Sequence, residues 1–301
     1  MSILKSKKKK IQKSPFEQSA KEQMVTTSDG CEIRVLSFTD VKNPREDITV
    51  FFVPGMFSIF PRWEPVVQEL NENYPVYYVE SREKITSKLV KKAKFDIPRH
   101  AMDLADVEKA LGLDKKKYIT ISSSLAGASV LENHAQKTMT PLGSILVSPG
   151  VEFHFPRWVL FVLRIVPPFV IQMLKPLISW LVGDVRVDKK NEPEQSAQYK
   201  RSLKEADPRK MRKNILSIAH YNGWDILPKI KDRLILIGAT LDTVHESDFA
   251  HNVAKALTNC SFIDLGTNKA AHDTPLVELT GKFMQELAGT GPKLVSELIQ
   301  E

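Results

Sequence analysis

A serine hydroxyl attacks a carbonyl only when a base removes its proton, so its chemistry needs a constrained position with histidine and a carboxylate in reach. In Ile119-Thr120-Ile121-Ser122-Ser123-Ser124-Leu125-Ala126-Gly127 a β-rich run passes directly into small residues of helical character. Three adjacent serines stand at that junction; without further constraint, such a run is simply a loop. Competing chemistries give no comparable signal. The two cysteines, Cys31 and Cys260, form neither a CxxC nor a Cys/His spacing, so neither a metal centre nor a disulfide framework is expected. No GxGxxG or Walker pattern opens a helix, and no cofactor is expected.

The elements that must hold these serines alternate in type. Gln23 to Ser28 and Cys31 to Phe38 flank an Asp29-Gly30 turn and predict an antiparallel hairpin. Ile48 to Val53 is a continuous apolar run ended by Pro54-Gly55, the pattern of a strand buried on both faces of a parallel sheet. A helix with Trp63, Val66, Val67 and Leu70 follows, then a strand over Pro75 to Val79 and a helix with Asp103, Val107 and Leu111. Strand Tyr118 to Ile121, a helix from Leu125 and strand Leu142 to Val147 continue the series. After a lapse, Arg233 to Gly238 and Ser261 to Leu265 read as strands around a helix at Phe249 to Leu257, and a last helix starts from Pro275. The alternation predicts an α/β chain with a mostly parallel, doubly wound sheet. The expected division is a lysine-rich tail over residues 1–21, a core over 22–150 and 229–301, and a helical cap insertion over 151–228. Within the insertion, Arg164, Pro167, Pro168, Gln172, Lys175 and Pro176 interrupt the apolar run from Trp158 to Leu181 before it could span a bilayer.

The serine segment resembles the nucleophile elbow of the α/β-hydrolase fold, a strained strand-to-helix turn. There the residues two before and two after the nucleophile must be small. Ser124 meets this with Ser122 and Ala126, where the family has two glycines. Ser123 would have Ile121 and Leu125 in those places, and Ser122 would put the turn inside the strand. The resemblance implies a triad in the chain order serine, acid, histidine. It places the acid at Asp242, beyond the strand ending at Gly238, with Glu246 and Asp248 farther on in a helix. It places the base at His272, in the loop after the last strand. The oxyanion hole it implies uses the backbone N–H groups of Met56 and Leu125, with Pro54-Gly55 where the family has His-Gly. In this fold an insertion after the sixth strand commonly caps the nucleophile. Its apolar side chains are therefore expected to be buried, with Trp158, Phe161 and Phe169 joining Phe57 and Phe60 around an apolar substrate pocket.

These features imply a carboxylic ester hydrolase of the capped esterase, monoacylglycerol lipase or lysophospholipase kind, acting on a small-molecule apolar ester. Thioesterase or acyltransferase chemistry on the same triad and a catalytically silent binding scaffold are the alternatives. The formal charge of +7 is local: Lys5, Lys7, Lys8, Lys9, Lys10 and Lys13 precede the first acidic residue, Glu17. No aromatic residues interleave these lysines, so nucleic acid is not an expected partner. A solvated tail, or a peripheral contact between the tail and anionic membrane, is expected instead. The unpaired cysteines and the lack of an apolar run after the lysines predict a cytoplasmic protein, peripheral at a membrane where the tail meets lipid.

Overall fold

The computed structural model describes residues 13–180, 193–239 and 247–296. After a short helix α1 (Pro15–Ser19), β1 (Lys21–Thr26) and β2 (Glu32–Phe38) pair antiparallel with Lys21 opposite Ser37 and Thr26 opposite Glu32. Gly30 takes a φ of 81° in the turn between them, a conformation open to glycine at little steric cost. Then β3 (Thr49–Val53), α2 (Phe60–Asn71), β4 (Val76–Val79), α3 (Ile97–Ala110), β5 (Tyr118–Ser123), α4 (Leu125–Gln136) and β6 (Gly143–Val147) alternate as the sequence predicts. Among the described residues, the α-helices α5 (Arg157–Ile165), α6 (Pro168–Trp180), α7 (Pro193–Glu205) and α8 (Pro208–Ile218) lie between β6 and the next strand. The core then closes with β7 (Leu234–Gly238), α9 (Ser247–Ala256), β8 (Cys260–Asp264) and α10 (Thr274–Ala288).

Among the described residues eight strands form one sheet in the order β1-β2-β4-β3-β5-β6-β7-β8, parallel from β4 onward. Strands from β3 to β7 are buried along their whole length apart from Tyr77, which is why they read as continuous apolar runs. Successive side chains still part to opposite faces. Phe51 and Val53 pack with α3, α4 and α9, whereas Val50 and Phe52 pack with α2 and α10. At the far edge, the chain after α10 runs back along β8. Phe262 N–H donates to Ser296 Oγ at 3.0 Å, and the Leu294 carbonyl accepts from Ser261 Oγ at 2.8 Å and from Arg233 at 2.6 Å.

Candidate active site

β5 carries its chain to Ser123, α4 begins at Leu125, and the single residue between them makes the turn. Ser124 has φ 47° and ψ −117°, backbone that a residue with a side chain adopts only under constraint. The constraint is visible. Ser124 N–H donates to the Val147 carbonyl of β6 at 3.1 Å, and its carbonyl accepts from Gly150 N–H at 3.0 Å. Close packing continues into α4, where a Cβ on Gly127 would lie 2.6 Å from Pro149 Cβ. From Tyr118 to His134 every residue is buried except Ser124, which the turn lifts into partial exposure.

The loop after β3 lies directly against this turn. A Cβ on Gly55 would come within 3.3 Å of Ser124 Cβ, and Gly55 N–H donates to Ser123 Oγ at 2.8 Å. Leu125 opens α4, so its N–H has no intrahelical acceptor. Among the described residues, neither that N–H nor Met56 N–H donates to a protein acceptor. The loop is fixed from beneath by residues the sequence did not single out. Lys84 Nζ donates to the Gly55 and Met56 carbonyls, both at 2.6 Å, and lies 3.2 Å from the buried Glu83. Burial opposes the charge on Glu83, but Lys84, His100 and the Ser81 hydroxyl outweigh it and hold the carboxyl below its usual range. From α8, Asn214 Nδ2 reaches Met56 Sδ at 2.9 Å and its Oδ1 accepts from His100 Nε2 at 2.8 Å, while Lys210 Nζ donates to the Lys84 carbonyl at 2.6 Å.

His272 ends a single 3-10 turn, Ala270–His272, between β8 and α10. β8 and β3 are four strand spacings apart, about 19 Å across the sheet. Yet the His272 ring lies on Trp63 with centroids 4.2 Å apart, and Trp63 packs edge-on against Phe52 of β3 at 4.9 Å. The histidine loop has therefore reached back over the carboxyl edge of the sheet toward the strands that carry Ser124 and Gly55. His272 Nδ1 is 2.7 Å from the Asn268 carbonyl. A carbonyl oxygen only accepts, so Nδ1 carries the proton and the Nε2 lone pair is the one suited to act as a base. Asp242, the expected acid, lies outside the described residues.

No family model and no curated protein matches the sequence. Solved structures do. A thermophilic esterase from Thermogutta terrifontis aligns with a TM-score of 0.68 at 19% identity, over 89% of this chain and 99% of its own. A bacterial membrane phospholipase A aligns with a TM-score of 0.66 at 18% identity, over 89% and 87% of the two chains. An esterase from Exiguobacterium antarcticum aligns with a TM-score of 0.67 at 15% identity, over 89% and 98%. The chain has the α/β-hydrolase fold. At these identities the likeness establishes architecture, and the chemistry has to be argued from the site.

On this fold the residues expected to line a substrate pocket have separate fates. Phe60 belongs to the core, 2% exposed, stacked on Phe38 and meeting Tyr78 edge to face at 5.0 Å. Phe57 and one edge of Phe60 border a cavity of about 70 Å³ shared with Met56, Lys84, Ile85 and Met211, and Ser124 is not in its wall. The expectation that the insertion buries its apolar side chains needs correction. Trp158, Phe161 and Phe169 are 66%, 62% and 65% exposed, while the backbone of α5 is held to α8 by a bond from Arg212 to the Arg164 carbonyl at 2.9 Å. At the opposite end of the sheet a serine, a histidine and an aspartate are linked in a chain. Ser144 Oγ is 2.7 Å from His134 Nε2, and His134 Nδ1 is 3.1 Å from Asp232. Ser144 is fully buried and accepts from Thr120 Oγ1 at 2.6 Å, so no substrate carbonyl can approach it. Among the described residues no cluster of three histidine, cysteine or acidic side chains could hold a metal ion.

Proposed function

We propose that this chain is a serine hydrolase that cleaves carboxylic esters through an acyl-enzyme on Ser124. The observation that carries the proposal is the strained, partly exposed Ser124 in a stretch that is otherwise buried. A hydroxyl held outward at the mouth of a helix, beside a glycine-lined loop, is placed to attack a carbonyl carbon. In the proposed reaction His272 Nε2 takes the Ser124 proton as the C–O bond forms, and the tetrahedral oxyanion receives hydrogen bonds from Met56 N–H and Leu125 N–H. Protonated His272 then gives that proton to the departing alkoxide. Water, deprotonated by the same Nε2, attacks the acyl-enzyme and returns Ser124 to its starting state. Asp242 is proposed to stabilise the charge that His272 gains. The solved structures of like fold include proteins described as esterases and a phospholipase, which supports an acyl ester as the substrate class.

A fluorophosphonate probe tests the reading, because it labels a serine only when that serine is activated. Labelling of the wild-type chain that disappears in Ser124→Ala is the expected result. An unlabelled wild-type protein would remove the hydrolase assignment and leave the fold as a binding scaffold.

A further inference from the structure

We propose that the successive helices α5 and α6 form an interfacial anchor that lies in the headgroup region of an anionic phospholipid bilayer. Only Val166 and Pro167 separate the two helices, both of which pack on α8, and the exposed side chains are Trp158, Phe161 and Ile165 on α5 and Phe169, Met173 and Leu177 on α6. Each of the six is more than half exposed, Met173 reaching 75%. Spacings of three and four residues place each trio on one helix stripe, and a stripe of three large exposed apolar side chains on each of two successive helices exceeds what scattered surface residues produce.

The inner side explains why the patch faces outward. Leu160 is buried, Arg212 of α8 donates to the Leu163 carbonyl and, at 2.9 Å, to that of Arg164, and Lys175 Nζ donates to the carbonyls of Lys204, at 3.2 Å, and Ala206. Each helix is thus tied to the rest of the insertion, α5 through its own carbonyls and α6 through Lys175.

Charge selects the occupant. No acidic residue occurs from Phe153 to Gly183, while exposed Arg157 and Arg164 border the Trp158–Phe161–Ile165 stripe. The lysine tail joins the fold at α1, whose Glu17 lines one cavity with Ser202 and Glu205 of α7, and α7 packs on α6. An aromatic and aliphatic face rimmed by arginine is the composition of helices that lie in a membrane interface. A two-fold contact with a second copy would bring the same arginines toward each other. No helix among the described residues is long and apolar enough to cross a membrane, so the contact is one of lying on the surface.

The test uses the full chain and does not depend on turnover. The protein is sedimented with vesicles of phosphatidylcholine alone or mixed with phosphatidylserine, the phosphatidylcholine carrying brominated acyl chains that quench a nearby indole. Expected are binding to the phosphatidylserine vesicles, quenching that is lost in Trp158→Phe, and about hundredfold weaker binding by a Phe161→Ser/Phe169→Ser/Met173→Ser variant with wild-type circular dichroism. Should the triple variant fail to fold, the Trp158→Phe comparison still decides the matter. Removal of residues 1–12 should weaken binding and its salt dependence while leaving the quenching in place. Three results would overturn the anchor: no binding, binding without quenching at Trp158 (contact through the tail alone), or lipid-free self-association that the triple variant abolishes (a second copy covering the face).

Discussion

The Asn268 carbonyl accepts from His272 Nδ1 and fixes the tautomer of the ring, and this sets how the proposed triad should divide its work. His272→Ala removes the base, so ester turnover should fall on the order of ten-thousandfold or more. Asp242→Asn should lose about a hundredfold less, because the imidazole keeps its orientation and only the stabilisation of its charged form is lost. Equal losses in the two variants would show that the carbonyl does not hold the ring. Activity should also decline toward acid pH as Nε2 takes up a proton and ceases to be a base. His134, in a similar constellation, is a structural residue. Its hydrogen bond to Asp232 outweighs the burial that opposes ionisation and holds that carboxyl below its usual range. A depressed folded-state value means that the stabilisation is present above the unfolded value near pH 4 and is lost as pH falls through the folded value. The melting temperature of Asp232→Asn should therefore fall less steeply with acidification than that of the wild type, with fluorophosphonate labelling intact in both.

The loop between β3 and α2 depends on elements far from it in sequence. Lys84 comes from the segment after β4, and Asn214 and Lys210 come from α8. Lys84→Met removes the donor to two loop carbonyls and leaves buried Glu83 without its cation. Met56 N–H should then lose its aim, lowering kcat about tenfold to a hundredfold with little change in KM. A variant that changes KM alone would show that the lysine does not position the loop. None of this was legible in the sequence, because a lysine in Ser81-Arg82-Glu83-Lys84 carries no periodic or spacing signal and its partners are joined only by folding. The strained turn at Ser124 was legible because its requirement is local: small residues must crowd one strand-to-helix junction, as Gly127 against Pro149 shows. The strands were legible for a related reason, since burial on both faces demands unbroken apolar runs. The insertion misled because apolar spacing marks a helix stripe that avoids water, without saying whether protein or lipid covers it.

Taken whole, the molecule has a sheet with two differently finished margins. β1 ends one side with exposed Lys21 and Glu22 on its strand, and charged side chains there discourage the approach of another strand. The other margin, β8, is less polar, with Phe262 and Ile263 in the core, and its outward N–H at Phe262 is occupied by Ser296. The chain beyond α10 therefore acts as a seal. Ending the protein at Thr290 should leave the α/β core folded but uncover a row of unpaired backbone groups beside apolar side chains. Light scattering on heating should then show visible particles at a lower temperature than for the full chain, and an amyloid-sensitive dye should report strand-to-strand stacking. A truncated protein that stays monodisperse would mean that β8 needs no cover. The practical corollary concerns handling: a tag or fusion partner that pulls Leu294 and Ser296 off the sheet invites precipitation, whatever it leaves of the catalytic turn.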